Sequence, residues 1–353
     1  MHPQTFLSKK YSYLLLLVIP FFPKLVFAHE EYVLTKEQIN TAVAVKGINV
    51  FSALNNPGNL RVGLSVAILS LVGIILYFFF QQSELGKKLD NKLNSLEPFG
   101  HTILRIALAS SLIASAYFNS FLGPEIHLSS IPFAEYLKPA LYIVGGLMLF
   151  GLWSEFTGVA ALIILLLCTW VYKEYMLTYF NYFGEFIALI LFGSRTFSLD
   201  KLLYKAKAFA EKYHNAELAL IRITYGISVI YPAITYKIIH PQVIIQVAQQ
   251  YNLMQFHWLF PQDPLLIALG TGMAQIAVGI CLILGFQTRL NTLVTFGLMV
   301  LSVAFFKESV WPHIILLALA IYLFFNNGGT WSLDNYLQKN ITSLKNKFLA
   351  KAS

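Results

Sequence analysis

The chain has 353 residues, of which 57% are hydrophobic and 12% charged, and its formal net charge is +8. Soluble domains carry about 25% charged residues, so this composition excludes a soluble globular class. Apolar runs near the ~20 residues that span a bilayer recur along the chain. They do not alternate as barrel strands would, so in lipid their backbone must be satisfied within helices. The positive charge invites a nucleic-acid reading, which the lysines exclude, because most of them sit between apolar runs where topology alone puts them.

In chain order, residues 1–28 read as a secretory signal. Lys9 and Lys10 form a basic start, an apolar core comes next, and Val26-Phe27-Ala28 places small residues at a cleavage site. An uncleaved anchor is the alternative, and both put the next segment outside the cytoplasm. Residues 29–60 read as that extracytoplasmic segment, with a short helix within 30–50 and a turn at Pro57-Gly58. The first span of the mature chain is 61–80, and Lys87, Lys88 and Lys92 at its exit assign that side to the cytoplasm.

A first four-helix unit is expected over 97–213, with spans at 101–119, 138–152, 157–172 and 178–193. The outer loop is 120–136, and 153–156 forms a tight inner turn. Arg195, Lys201, Lys205, Lys207 and Lys212 come after it on the inner side. A second unit over 214–338 repeats the order, with spans at 216–236, 264–286, 290–306 and 310–326, a longer outer loop at 237–263 and an inner turn at 287–289. The segment 339–353 is a basic cytoplasmic tail holding Lys339, Lys345, Lys347 and Lys351. Every lysine cluster falls on one side. The expected fold is all-α: a polytopic membrane protein of two parallel four-helix bundle repeats plus one extra N-terminal span. Its expected location is a bacterial-type inner (plasma) membrane, multi-pass, with the mature N-terminus extracytoplasmic and the C-terminus cytoplasmic.

The repeat is written in the residues. Positions 140–203 recur at 274–337 with a constant offset of 134, so Gly145 returns as Gly279, Gly151 as Gly285, Lys173-Glu174 as Lys307-Glu308, and Ser198-Leu199-Asp200 as Ser332-Leu333-Asp334. Four spans per unit is an even number, which makes the copies parallel rather than inverted. Ser198 and Ser332 are placed to cap a helix, with Asp200 and Asp334 in its first turn, where the helix dipole favours an anion. The helices after these caps carry leucines among lysines and read either as interfacial or as solvated.

Each unit resembles the DoxX-type four-helix membrane domain. The resemblance rests on an arginine early in the first helix (Arg105, Arg222), a Gly-rich second helix ending in Gly (Gly145 and Gly151, Gly279 and Gly285), and the closing Ser-Leu-Asp. It covers about residues 100–337 and implies an association with respiratory or sulfur redox complexes or with oxidative-stress systems. Family members often carry a glutamate four residues before the glycine of the second helix. Here Gln275 and Leu141 stand in that place, which removes the basis for a proton-coupled role at that position.

Arg105 and Arg222 lie about a turn inside the inner boundary, where a charge must snorkel or be paired. Glu185 is the only carboxylate deep within an expected span, and Arg105 is its candidate partner; the equivalent of Glu185 in the second unit is Leu319. Five histidines, His29, His127, His240, His257 and His313, fall on the outer side as candidate metal ligands. After cleavage, the amine and imidazole of His29 can chelate copper together. They come from separate segments, and interfacial histidines are ordinary. Trp170, Tyr172, Tyr175, Tyr179, Tyr182, Trp258 and Trp311 cluster at outer span ends as an interfacial belt, a surface that a quinone headgroup can also use. Cys168 and Cys281 lie in apolar runs with no Cys-x-x-Cys, and core packing is their default reading.

The expected function is a redox-associated membrane subunit, possible contacts being quinone and a partner oxidoreductase, surrounded by membrane lipid. The alternatives are a small-solute or metal transporter with its pathway between the units, and a non-catalytic assembly subunit. No residue is assigned as catalytic. A reporter fused within 201–213 is expected to read out on the cytoplasmic side, and activity on the opposite side would overturn the topology.

Overall fold

The computed structural model describes residues 33–194, 197–204, 213–256, 260–307 and 309–340. The expected signal segment 1–28, His29, His257 and Trp258 lie outside the described residues, as does the chain from 341 onward. Among the described residues the backbone is helical, and the nearest thing to a strand is a single antiparallel bridge between Ser120 and His127. The protein is an all-α, multi-pass membrane protein.

The segment expected to be extracytoplasmic holds α1 (Lys36–Ala44), started by a reciprocal cap. The Thr35 hydroxyl accepts from the Gln38 amide, and the Gln38 side chain accepts from the Thr35 amide. The first span is α2 (Pro57–Gln82). The turn expected at Pro57-Gly58 is instead the first turn of this helix. Asn56 caps it by accepting from the Gly58 amide (2.8 Å), and proline at the first helical position loses no hydrogen bond there. No residue of α2 is buried, so its surface is free to face lipid. Next comes a short helix the sequence did not announce, α3 (Glu84–Asn94), capped by Ser83.

The first set of four helices is α4 (Glu97–Phe118), α5 (Ala134–Phe150), α6 (Ser154–Tyr172) and α7 (Phe180–Phe192), with the short α8 (Leu199–Tyr204) after it. The second set begins with α9 (His214–Pro232), which Pro232 passes into a π-helical turn, Ala233–Ile239. The outer loop expected at 237–263 contains α10 (Gln242–Gln250). Then come α11 (Pro264–Leu284), α12 (Thr288–Phe306) and α13 (Ile314–Asn326), and residues 333–340 are again helical.

Among the described residues, six helical segments are long and apolar enough to cross a bilayer: α2, α4, the run Ser154–Phe192, α9 with its π turn, α11 and α12. The run Ser154–Phe192 folds back at Lys173, where φ is +49°, so α6 and α7 lie against each other. Lys307, 134 residues later, has φ +54°. α5, α7 and α13 are shorter, at 17, 13 and 13 residues.

Within the first set α4 packs on α5, α5 on α6 and α6 on α7. Within the second, α9 packs on α11, α11 on α12 and α12 on α13. The sets pack chiefly along two lines, α7 against α9 and α13 against α4, and the eight helices form a closed ring. One hydrophobic core therefore draws from both sets, with Leu108 and Leu112 of α4, Leu189 of α7, Ile221 and Tyr225 of α9, and Leu319 of α13. The ring has two ends. The end that carries the α5–α6 and α11–α12 turns is the basic face, where α3 brings Lys87, Lys88 and Lys92. At the opposite, distal end α1 lies on α10 through Ile39, Ala42, Val243 and Val247, and Gln38 hydrogen-bonds Gln250 (3.1 Å).

Close approach inside each set depends on small residues. A Cβ on Gly279 would lie 2.8 Å from the Gly226 carbonyl, and one on Gly145 would lie 3.1 Å from the Ala109 carbonyl. These carbonyls belong to α9 and α4, so the same approach occurs in both sets.

At the basic face α3 is held by Arg289 at the start of α12. The guanidinium is 2% exposed and pairs with Asp90, and it donates to Asn94 Oδ1 (2.6 Å) and to the carbonyls of Phe324 (2.8 Å) and Phe325 (3.1 Å). Arg289→Ala is expected to destabilise the detergent-solubilised protein by about 3 kcal/mol, the lower end of the range for breaking a buried pair, since Asp90 is a third exposed. Thermal unfolding measures it, and an unchanged midpoint would remove the ion pair from the account.

Candidate functional site

The basic face carries two copies of one polar arrangement. Arg222, 2% exposed, donates from Nη1 to the Gly328 carbonyl (2.6 Å) and from Nη2 to the Trp331 carbonyl (2.8 Å). Arg105 donates from Nη2 to the Phe197 carbonyl (2.7 Å), 134 residues before Trp331. Both arginines thus bind backbone in the loop leading into Ser-Leu-Asp, an outcome that neither snorkelling nor pairing with Glu185 anticipates. A charge inside the bilayer costs about 2.5–3.5 kcal/mol, and hydrogen bonds to a charged group return about 1.5–3 kcal/mol each. Two such bonds offset the burial of Arg222.

The helix turns close on these guanidiniums. Gly151 and Gly285 sit at φ +62° and +66°, and a Cβ on Gly285 would fall on the Arg222 guanidinium. Ser198 and Ser332 cap their helices, accepting from the Lys201 amide (3.2 Å) and the Asn335 amide (3.3 Å). Asp200 and Asp334 do more than sit in the first turn of those helices. Asp200 accepts from the amides of Trp153 (2.8 Å) and Ser154 (2.9 Å) at the start of α6, and Asp334 accepts from the Gln287 amide (2.9 Å) at the start of α12. Each aspartate is an anion at the N-terminus of a neighbouring helix, where the dipole stabilises it. Burial pushes the Asp334 carboxyl pKa up, while the amides of Gln287 and Thr288 and the charge of Arg222 act the other way.

Between the two sets lies a polar seam. A cavity of about 40 Å³ is lined by His101, Arg105, Glu185, Ser194 and Glu217, with Leu104, Leu108, Leu189 and Ile221 among its apolar walls. Glu185, in the middle of α7, is 2% exposed. Its Oε1 accepts from Asn181 Nδ2 (3.0 Å), and its Oε2 is buried without a hydrogen-bond partner. The Arg105–Glu185 pair expected from the sequence is not made, because the guanidinium turns toward the Phe197 carbonyl, although both groups line the same cavity. On the distal side of Glu185 the buried Tyr182 lies near Ser111, and a smaller cavity of about 10 Å³ is bounded by Thr178, Tyr179, Asn181 and Tyr182. Further out, Tyr175 donates to Glu125 Oε1 (3.1 Å), which also accepts from Tyr179. Polar groups therefore line α7 and its leading turn from one face toward the other.

At the basic face the cavity is lined by His101 of α4 and Glu217 of α9, and beside them stand Glu97 of α4 and His214 of α9, four titratable groups that the sequence pattern did not single out. Ligand atoms of Glu97, His101 and His214 lie within 4.8 Å of one another. The signal was available as Glu-x-x-x-His at 97–101 and His-x-x-Glu at 214–217, spacings that put both partners on one helix face. Only the fold sets the two faces against each other.

The other candidates lie apart from the seam. His127 is exposed at the Ser120 bridge, His240 comes directly after the π turn, and buried His313 places Nδ1 2.9 Å from the Ser309 carbonyl. Among the described residues, none of the three joins a group of three potential metal ligands. Gln275 lies on α11, its Oε1 buried without a hydrogen-bond partner. Cys168 and Cys281 are both free thiols.

Residues 218–308 match the family DoxX, and residues 265–352 match the family described as TQO small subunit DoxD. No curated protein and no solved structure matches the chain.

Gly285→Ala is expected to lower stability, by about 1–2 kcal/mol from the left-handed backbone alone, and further by displacing Arg222. Gly146→Ala, where a Cβ meets nothing within 4 Å, is the control and is expected to be neutral or stabilising. Equal melting temperatures for the two variants would show that the turn does not need glycine.

Proposed function

We propose, from the premise that this chain is a DoxX-like membrane protein, that it is the membrane subunit of a redox system and that its seam moves protons between the basic face and the bilayer interior. One observation carries this reading. A carboxylate buried in mid-span, with one oxygen unpartnered, lines the same cavity as Glu217 and His101 at the basic face. An intramembrane carboxylate is costly to retain and is a candidate proton carrier.

The size of the cavity favours protons over larger cargo. A volume of about 40 Å³ holds a few waters, each needing about 10–15 Å³. Sites for small organic ligands run to about 300–1,000 Å³, so neither a quinone ring nor an organic solute fits this cavity. A quinone would instead meet the lipid-facing surface, and a partner oxidoreductase would supply electrons. The resemblance of 265–352 to an oxidase small subunit supports the expectation of such a partner.

In this reading the second unit, 214–338, and the first, 97–213, are two DoxX-like units of one orientation. The pairing is supported by the recurrence, at a 134-residue offset, of the aspartate caps, the glycine turns and the arginine-bound carbonyls. The basic face is then cytoplasmic, an orientation that the lysine distribution supports.

The test is purification from native membranes in mild detergent, and then quinone reduction by whatever oxidoreductase is retained. The wild-type chain is expected to carry a partner with quinone-dependent electron transfer. Glu185→Gln is expected to keep the partner and slow turnover about a hundredfold, the lower end of the range for a lost proton-transfer group. Absence of any such partner activity, or full activity in Glu185→Gln, would overturn the reading.

A further inference from the structure

The four groups at the mouth of the seam have an internal order. Glu97 Oε1 lies 3.3 Å from His214 Nε2 and 3.9 Å from His101 Nε2. Glu217 lies on the other side of both rings, with Oε1 3.5 Å from His101 Nδ1 and Oε2 3.5 Å from His214 Nδ1. Each imidazole therefore turns its Nδ1 toward Glu217 and its Nε2 toward Glu97. A neutral imidazole has one donor nitrogen and one acceptor. Every ring nitrogen faces a carboxylate, and with the proton on Nδ1 toward the more deeply buried Glu217 both Nε2 lone pairs point at Glu97.

That is how histidine ligands of metals are prepared, the far nitrogen being held by a carboxylate that fixes tautomer and ring orientation. We propose that Glu97, His101 and His214 bind a divalent first-row transition ion through Glu97 Oε1 and the two Nε2 atoms, with Glu217 as the carboxylate that orients both rings. Two imidazoles and one carboxylate with open positions suit zinc or ferrous iron. Bonds of about 2.0–2.2 Å to an ion between the groups match oxygen–nitrogen separations of 3.3 and 3.9 Å. The three ligand atoms already lie within 4.8 Å of one another, so closure asks only a small side-chain movement.

The surroundings fit. The His101 ring packs edge-on to Tyr322 at 5.0 Å and lies 5.7 Å from the His214 ring. The Glu217 side chain is 7% exposed and that of Glu97 39%. The orienting carboxylate is buried and the ligating one partly exposed, which places the ligand on the solvent side of the cluster. The ligands come from α4 and α9, one from each set of four helices, so the ion would tie the two sets together. The proposal does not depend on the redox reading.

The experiment uses the full chain in detergent, stripped with a chelator and titrated with Co²⁺ and Zn²⁺. One equivalent is expected to bind. His101→Gln with His214→Gln is expected to lose that equivalent, and Glu217→Gln to keep it with about 10–100-fold weaker affinity. Equal metal uptake by the double variant and the wild type would overturn the proposal, as would a wild type that binds none. If the double variant does not fold, X-ray absorption on the Co²⁺ form of the wild type decides. Scattering from two imidazoles supports the site, and its absence sinks it.

Discussion

A guanidinium placed in hydrocarbon must be given acceptors, and the acceptors here are backbone carbonyls in the loops that end each set of four helices. Arg105 and Arg222 take them at residues 197, 328 and 331. The rest of the basic face is a consequence of that need. The loop has to pass beneath the first helix, so the second helix must stop in a left-handed turn, and only glycine leaves room beside the guanidinium. The aspartate that closes the loop then lies over the start of the third helix and satisfies its first amides. An isolated buried charge is thereby turned into a brace that fixes four helix ends.

The seam is the complement of that brace. In the closed ring, α4 and α9 each contact a helix of the other set, so whatever polar groups they carry face a protein neighbour rather than lipid. His101, Glu217 and Glu185 come from three different helices and share one cavity. Its volume of about 40 Å³ is that of a few waters. Retaining an unpartnered carboxylate oxygen there is costly in apolar surroundings, and that cost is what directs attention to Glu185 rather than to the exposed aromatics.

Much of this was legible residue by residue. Apolar runs marked the spans, and the 134-residue offset marked Gly151, Gly285, Ser198 and Ser332, whose caps and turns are local properties of the chain. Local chemistry could not say where Arg105 points. Glu185 and the Phe197 carbonyl were both within its reach, and the carbonyl won because the loop brings it to the guanidinium. Asp200 and Asp334 were legible as first-turn anions of their own helices, but their second role needs a neighbouring helix start. α3 went unread because three lysines served equally well as a topological signal, and Arg289, which anchors it, sits 199 residues from Asp90.

The sequence by itself determined that this chain is a multi-pass helical membrane protein with polar closures at set intervals, because hydropathy, capping and glycine turns act over a few residues. Tertiary structure alone decided which polar groups meet. Glu97 and His101 are separated from His214 and Glu217 by more than a hundred residues, and nothing in either helix encodes the other. They face each other because apolar burial closes eight helices into a ring, and that closure brings the starts of α4 and α9 together.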